Sequence, residues 1–153
     1  MIELVLPYPI SSNRYWRSFV PRGKQRAVVV RSAEAEAYKA EVGYRARHAG
    51  IRTPLLGRIS LQVQLYPPRP QDWARRARRN PLAWDDDVRC IDLGNAEKVL
   101  SDALNGIAWL DDKQHRRILL ERMEPDGDAR VVVRIQELAL AQSLHGDLLG
   151  AAA

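Results

Sequence analysis

Residues 90–114 read CIDLGNAEKVLSDALNGIAWLDDKQ and contain the clearest helical pattern in the chain. Apolar side chains recur at the three- and four-residue intervals of one helix face: Ala96, Val99, Leu100, Ala103, Leu104 and Ile107. The spacing predicts a helix over residues 93–105. Gly106 is a suitable terminator, because glycine readily adopts the left-handed conformation that often follows a helix.

Aspartates lie at both ends of this predicted helix. Asp92 precedes it, and its simplest role is to cap the helix by accepting backbone N–H groups. Asp111 and Asp112 follow it, where acids commonly lie in a surface turn. A helix of this length spans roughly 20 Å at about 1.5 Å per residue. Spacing alone therefore does not bring the carboxylates together; a loop that folds back or a second subunit would have to do so.

Outside this stretch, strands and one further helix complete the predicted domain. Alternation of apolar and polar residues is strict over residues 59–65, which indicates a half-buried strand. A helix is expected from Ser32 to about His48, and further strands over 2–6, 27–31, 116–121 and 130–137. The order predicts an α+β fold in which a small mixed sheet carries two main helices on one face. Residues 1–140 form the predicted domain, with an Arg-rich loop insertion at 68–84, and the tail at 141–153 is expected to fray.

Composition restricts the class of protein. The 153 residues carry a formal charge of +5, an excess that suits a polyanionic partner such as nucleic acid. No apolar run is long enough to cross a membrane, and we recognise no signal peptide at the N-terminus. A single cysteine, Cys90, excludes an internal disulfide and is typical of a reducing cytoplasm. One cysteine and three dispersed histidines do not support a zinc cluster.

The helix and its flanks contain an ordered set of short motifs. These resemble the RusA family of Holliday junction resolvases, whose pattern is roughly D-L-D-N-x-x-K, then D-A-L, then D-D-x-Q. The matching residues here are Asp92-Leu93-Gly94-Asn95, Lys98, Asp102-Ala103-Leu104 and Asp111-Asp112-x-Gln114. Nearer the N-terminus, Pro7, Pro9 and Asn13-Arg14-Tyr15 are similar to the proline-rich entry of the family, which ends in N-R-Y.

The resemblance implies a function and a set of site residues. Enzymes of this family are small α+β homodimers, often from phage or prophage, that nick two strands of a four-way DNA junction using Mg²⁺ or Mn²⁺. By motif, Asp92 and Asp112 would be catalytic aspartates, Asp111 a further metal ligand and Lys98 the active-site lysine. Carboxylates suit Mg²⁺, which prefers oxygen ligands, and such a metal can activate water for phosphodiester hydrolysis. The expected partners are branched DNA and a second copy of the chain, with no membrane and no small-molecule substrate.

Gly94 departs from this pattern, since the family has an aspartate there. Three explanations remain open. Another acid substitutes, either Asp111, Glu97 or one of residues 85–87; or two carboxylates suffice with more water ligands and a preference for Mn²⁺, which binds such sites more tightly. Alternatively, cleavage is weakened or lost and the protein only binds branched DNA.

Arginines supply the expected DNA contacts. Arg75, Arg76, Arg78 and Arg79 crowd around Trp73, and arginine pairs with phosphate through its planar fork while tryptophan stacks on unpaired bases. The alternative is that these arginines belong to a solvated loop whose tryptophans pack on the domain. Asn13, Arg14 and Arg17 form a second candidate set, beside which Tyr15 and Trp16 are expected in the core. Lys98 could contact phosphate, or could instead form a surface ion pair with Asp102 at the i+4 position.

Overall fold

The computed structural model describes residues 1–140. In chain order the elements are β1 (Ile2–Pro7), α1 (Ser12–Tyr15), β2 (Trp16–Phe19), β3 (Val28–Arg31), α2 (Ala33–His48), β4 (Arg58–Tyr66), α3 (Trp73–Arg79), α4 (Leu93–Leu104), β5 (His115–Arg122) and β6 (Arg130–Leu138). A single 3₁₀ turn, Asp112–Gln114, precedes β5. The predicted α+β class is confirmed.

The main sheet has four strands in the order β1-β6-β4-β5 and is mixed. Strand β4 pairs antiparallel with β6 and parallel with β5, while β1 pairs antiparallel with β6. The register places Leu4 opposite Val133 and Val63 opposite the same valine, so apolar side chains align across the sheet. The alternation predicted for β4 is present: Ile59, Leu61, Val63 and Leu65 are buried, and the residues between them are partly exposed.

Helices α2 and α4 contribute to one core with the apolar face of this sheet. Each begins at the cap that the sequence predicts: the Ser32 side chain accepts from the Ala35 N–H, and the Asp92 side chain accepts from the Asn95 N–H. Gly106 has a φ of 79°, so the chain leaves α4 through the left-handed conformation expected of a terminating glycine.

Three short elements were not predicted. Helix α1 and strand β2 occupy the polar segment 12–19, where β2 pairs with β3 in a separate two-stranded ribbon. Helix α3 lies inside the predicted 68–84 loop, so Arg75, Arg76, Arg78 and Arg79 are helical. The tail at 141–153 lies outside the described residues. Within residues 1–140, no helix has the length and apolar character that a membrane crossing requires.

Candidate active site

The N-terminal segment fixes the chain just before α4. The Tyr8 hydroxyl oxygen accepts a hydrogen bond from the Ile91 backbone N–H at 2.8 Å. Burial is the main reason that the pKa of Tyr8 is raised to about 12, so this phenol stays protonated at neutral pH. The proline-rich entry and the aspartate motif are thus in contact, although more than 80 residues separate them in sequence.

Asp92 is held by a short chain of hydrogen bonds. One of its carboxylate oxygens accepts from the Asn95 backbone N–H at 2.8 Å, and the other accepts from the Asn95 side-chain amide. The Ser12 hydroxyl donates to the amide oxygen of Asn95 at 2.7 Å, which fixes the orientation of that amide. Asp92, Asn95 and Ser12 therefore form one hydrogen-bonded unit. The bond that caps α4 also fixes the orientation of the Asp92 carboxylate.

Gly94 occupies the first turn of α4 and is not required there by the backbone. It is absent from the glycines with positive φ, which are Gly23, Gly50, Gly106 and Gly127 within residues 1–140. A Cβ built at this position would meet only Asp92 Oδ1, at an ordinary van der Waals distance of 3.5 Å. An aspartate therefore fits at position 94 without steric conflict.

After α4 the chain turns back along the helix. The Gly106 N–H donates to the Trp109 carbonyl at 2.7 Å, and the Trp109 side chain is fully buried. Asp111 caps the 3₁₀ turn by accepting from the Lys113 N–H at 2.8 Å. The Gln114 amide accepts from the Asp111 N–H and donates to the Leu55 and Gly57 carbonyls, so it fixes this turn to the segment before β4.

This return places Asp112 in a cleft beside α4. The cleft has a volume of about 320 Å³ and is lined by Trp16, Glu97, Lys98, Ser101, Asp102, Asn105 and Asp112. Glu97 is five residues after Asp92, or about 8 Å along the helix axis at 1.5 Å per residue. The cleft therefore brings Asp112 beside Glu97 and Lys98 of α4, whereas Asp92 and Asp111 are not among its lining residues.

Lys98 and Asp112 are free within this cleft. Neither side chain has an ion pair or a hydrogen bond among residues 1–140. The predicted alternative for Lys98, an ion pair with Asp102, is wrong. Asp102 instead accepts a short hydrogen bond from the buried Tyr15 hydroxyl and pairs with Arg31 at 3.3 Å.

Two features in or next to the cleft were not predicted from the sequence. The Lys39 ammonium group, from α2, donates to the carbonyls of Asp102 and Asn105 at 2.9 and 3.0 Å, and so caps the C-terminal end of α4. Burial lowers the pKa of Lys39 from its ordinary value. Trp16, expected in the core, is only partly buried and lines the cleft, whereas Tyr15 is fully buried as predicted. The contact of Lys39 is tertiary, so no local pattern signals it.

The carboxylates are not gathered into a ready-made metal site. Across residues 1–140, no group of three or more His, Cys, Asp or Glu side chains is placed to hold a metal ion. Glu97 and Asp112 share the cleft, and both act to raise the pKa of His115, against the burial that lowers it overall. The amide oxygen of Asn105, another cleft residue, is buried without a hydrogen-bond partner. The cleft thus offers oxygen donors of the kind that Mg²⁺ and Mn²⁺ prefer.

The arginines of α3 divide into paired and free side chains. Arg75 and Arg76 pair with Asp72 at 3.1 and 2.9 Å, and Arg76 also reaches Asp87 at 3.3 Å. One acid of the run 85–87 therefore pairs with this cluster. Arg78 and Arg79 have no ion pair within the described range.

The N-terminal candidate set, Asn13, Arg14 and Arg17, likewise contains one paired and one free arginine. Arg14 pairs with Glu34 at 2.6 Å, which raises the pKa of the guanidinium. Arg17 has no ion pair within residues 1–140 and lies over the Phe19 ring, 5.3 Å from its centroid. Asn13 is exposed.

Comparison with known proteins agrees with the motifs. The family model for Endodeoxyribonuclease RusA matches residues 7–136. The chain is 27% identical over 137 residues to the Crossover junction endodeoxyribonuclease RusA of Escherichia coli strain K12, covering 89% of this chain and 94% of the relative. The protein of the same name from Escherichia coli O6:H1 strain CFT073 is similar to the same extent. The match extends from the proline-rich entry to β6, and the chain belongs to the RusA endodeoxyribonuclease family.

Proposed function

We propose that the protein is a divalent-metal-dependent endonuclease that resolves Holliday junctions or related branched DNA by paired nicks. The observation that carries this proposal is the cleft in which Lys98 and Asp112, both family-motif residues, lie without partners. Exposed ionic side chains with no structural role, placed in a concave site, are candidates for chemistry.

Asp92 and Asp112 are the proposed catalytic carboxylates, with Asp111 as a further ligand. When bound, Mg²⁺ or Mn²⁺ would activate the attacking water and neutralise charge on the phosphate. Lys98, from α4, lines the cleft, where its ammonium group would stabilise negative charge on the phosphate or on the leaving oxygen.

Glu97 is the acid that we propose in place of the aspartate missing at position 94. It lies one residue before Lys98 and shares the cleft with Asp112. Its side chain is oriented by the Ser101 hydroxyl, which donates to one carboxylate oxygen at 2.7 Å. The other candidates are less well placed. One Asp111 oxygen already caps the 3₁₀ turn. Asp86 and Asp87 line a separate cavity beside α3, and none of residues 85–87 lines the cleft.

A homodimer would present two such sites to two symmetry-related strands, as paired nicking needs. Phosphate contacts are proposed for Lys98, Asn13, Arg14 and Arg17, and for Arg75, Arg76, Arg78 and Arg79 of α3. Among these, Arg17, Arg78 and Arg79 are the strongest candidates, because no intramolecular ion pair has to be broken before they bind phosphate.

The test is a synthetic four-way junction incubated with Mg²⁺ or Mn²⁺ and scored for paired nicks. Asp92→Asn and Asp112→Asn should abolish nicking and leave junction binding in place, and Lys98→Met should abolish nicking even at protein concentrations that saturate the junction. Asp128→Asn, at an exposed position outside the cleft, is the matched control. Binding by the wild type without nicking in either metal would favour the alternative, a branched-DNA-binding protein weakened by Gly94.

A separate measurement tests the role of Glu97. Mn²⁺ binding followed by electron paramagnetic resonance should weaken in Glu97→Gln and remain unchanged in Asp128→Asn. Equal Mn²⁺ affinity in Glu97→Gln and the wild type would exclude Glu97 as the substitute ligand, whatever its effect on activity.

A further inference from the structure

The β2–β3 ribbon is largely exposed. Strands Trp16–Phe19 and Val28–Arg31 pair only with each other, and apart from Pro21 every residue from 17 to 29 is exposed. Large apolar side chains are exposed on it as well, including Phe19 at 42% and Val29 at 65%. A lone two-stranded hairpin is marginally stable in water, so a projecting ribbon of this kind is best explained by a partner.

The charge of the ribbon identifies the class of partner. No Asp or Glu occurs between Glu3 and Glu34, whereas the ribbon carries Arg17, Arg22, Lys24, Arg26 and Arg31. Arg31 pairs with Glu36 and Asp102, and the other four cations have no ion pair among residues 1–140. In the rest of the chain, 19 Lys and Arg balance 19 Asp and Glu, so the net charge of +5 is that of the ribbon.

The base of the ribbon forms one wall of the candidate active site. Trp16 pairs in register with Arg31 at the end of the ribbon next to α1. Trp16 lines the cleft, and Arg31 contacts Asp102 of the same cleft at 3.3 Å. DNA with a phosphate in the cleft would therefore pass beside the ribbon.

We propose that the β2–β3 ribbon is a DNA-binding arm that holds one duplex arm of the junction beside the cleft. Arg22, Lys24 and Arg26, at and next to the turn, contact backbone phosphates on either side of a groove. A two-stranded ribbon fits the major groove of B-DNA, which is about 12 Å wide, and four paired residues per strand extend about 13 Å at 3.3 Å per residue. This inference rests on the proposed function, since it assumes a DNA substrate.

The test is the salt dependence of junction binding. In Arg22→Ala/Lys24→Ala/Arg26→Ala, the slope of log Kobs against log salt concentration should become shallower by about 0.9 for each phosphate that the protein no longer neutralises, about 3 in all. Affinity at 0.15 M salt should fall at least about tenfold. Arg22→Lys/Arg26→Lys keeps the charges and should keep the slope. The matched control is Arg47→Ala/Arg52→Ala/Arg58→Ala, which removes three exposed arginines elsewhere.

The possible results distinguish phosphate contacts made by the ribbon from a net-charge effect and from a contact between two copies of the chain. An unchanged slope in the ribbon variant would overturn the inference, and so would an equal decrease in the control variant, since net charge alone would then explain the effect. A change of oligomeric state on size-exclusion chromatography, with DNA binding unaffected, would assign the ribbon to a second copy of the chain instead. If the wild type binds no junction, the proposed function fails and the inference fails with it; if the wild type nicks junctions while the ribbon variant binds normally, only the inference fails.

Discussion

Replacing Gly94 with aspartate tests directly whether position 94 faces the metal. The position lies in the first turn of α4 with helical φ, and a Cβ there meets Asp92 Oδ1 at 3.5 Å without a clash. Replacing glycine in a helix gains about 0.4 kcal/mol, and an anion in the first turn gains about 0.3–1 kcal/mol. Two carboxylates about 5 Å apart in water repel by about 0.8 kcal/mol. These terms nearly cancel, so without metal the melting temperature should change by no more than about 2 °C.

In the presence of Mg²⁺, the stability of Gly94→Asp should differ from that of the wild type. We expect Gly94→Asp to bind Mg²⁺ at least tenfold more tightly, since a second carboxylate adds a charged oxygen ligand. At a Mg²⁺ concentration ten times the dissociation constant of the wild type, the variant gains about 1.3 kcal/mol more stability than the wild type. At about 2–4 °C per kcal/mol for a chain of this size, the melting temperature should rise by about 3–5 °C more on addition of Mg²⁺.

The assay is thermal unfolding with EDTA and across a Mg²⁺ titration, and Gly94→Asn is the uncharged control of nearly equal size. An equal Mg²⁺-induced shift in Gly94→Asp and Gly94→Asn would refute the reasoning, because position 94 would then not face the metal. If Gly94→Asp without metal were less stable than the wild type by several kcal/mol, the conclusion that an aspartate fits at position 94 would be wrong.

Two further predictions concern single residues. Asp92→Asn keeps a capping oxygen and should leave the melting temperature nearly unchanged, whereas Asp92→Ala loses the cap, about 1 kcal/mol or about 2–4 °C; equal losses would contradict the capping role. Burial lowers the pKa of His115 in the folded state. The unfolded state therefore binds more protons as the pH falls through about 6.5, and stability decreases. His115→Gln, melted in EDTA at pH 7.5 and 5.5, should lose less stability than the wild type.

Regular periodicity predicted the main elements of the fold, and tertiary contacts account for what it missed. Helix α4 and strand β4 follow from the spacing of their own apolar residues. Helix α3 was missed because its seven residues include no apolar stripe and bury no side chain, so no hydrophobic signal marks it. The cleft could not be predicted either, because it depends on the buried Trp109 and the Gly106 turn to fold the chain back along α4.

The structure also separates the motif residues by what they do for the fold. The side chains of Asp92, Asp111 and Gln114 satisfy backbone groups at the start of α4 or of the turn before β5. The Asn95 side chain orients the Asp92 carboxylate, so a stable fold already explains the presence of all four residues.

Lys98 and Asp112 have no such explanation. Both lie in the cleft without partners among residues 1–140, so removing either charge should cost the fold little. Their variants should therefore remove activity and leave the melting temperature unchanged. Variants that remove a capping oxygen, such as Asp92→Ala, affect the fold as well, because the fold uses those side chains. Loss of nicking in Lys98→Met or Asp112→Asn is thus the cleaner evidence for chemistry, since an indirect effect through the fold cannot explain it.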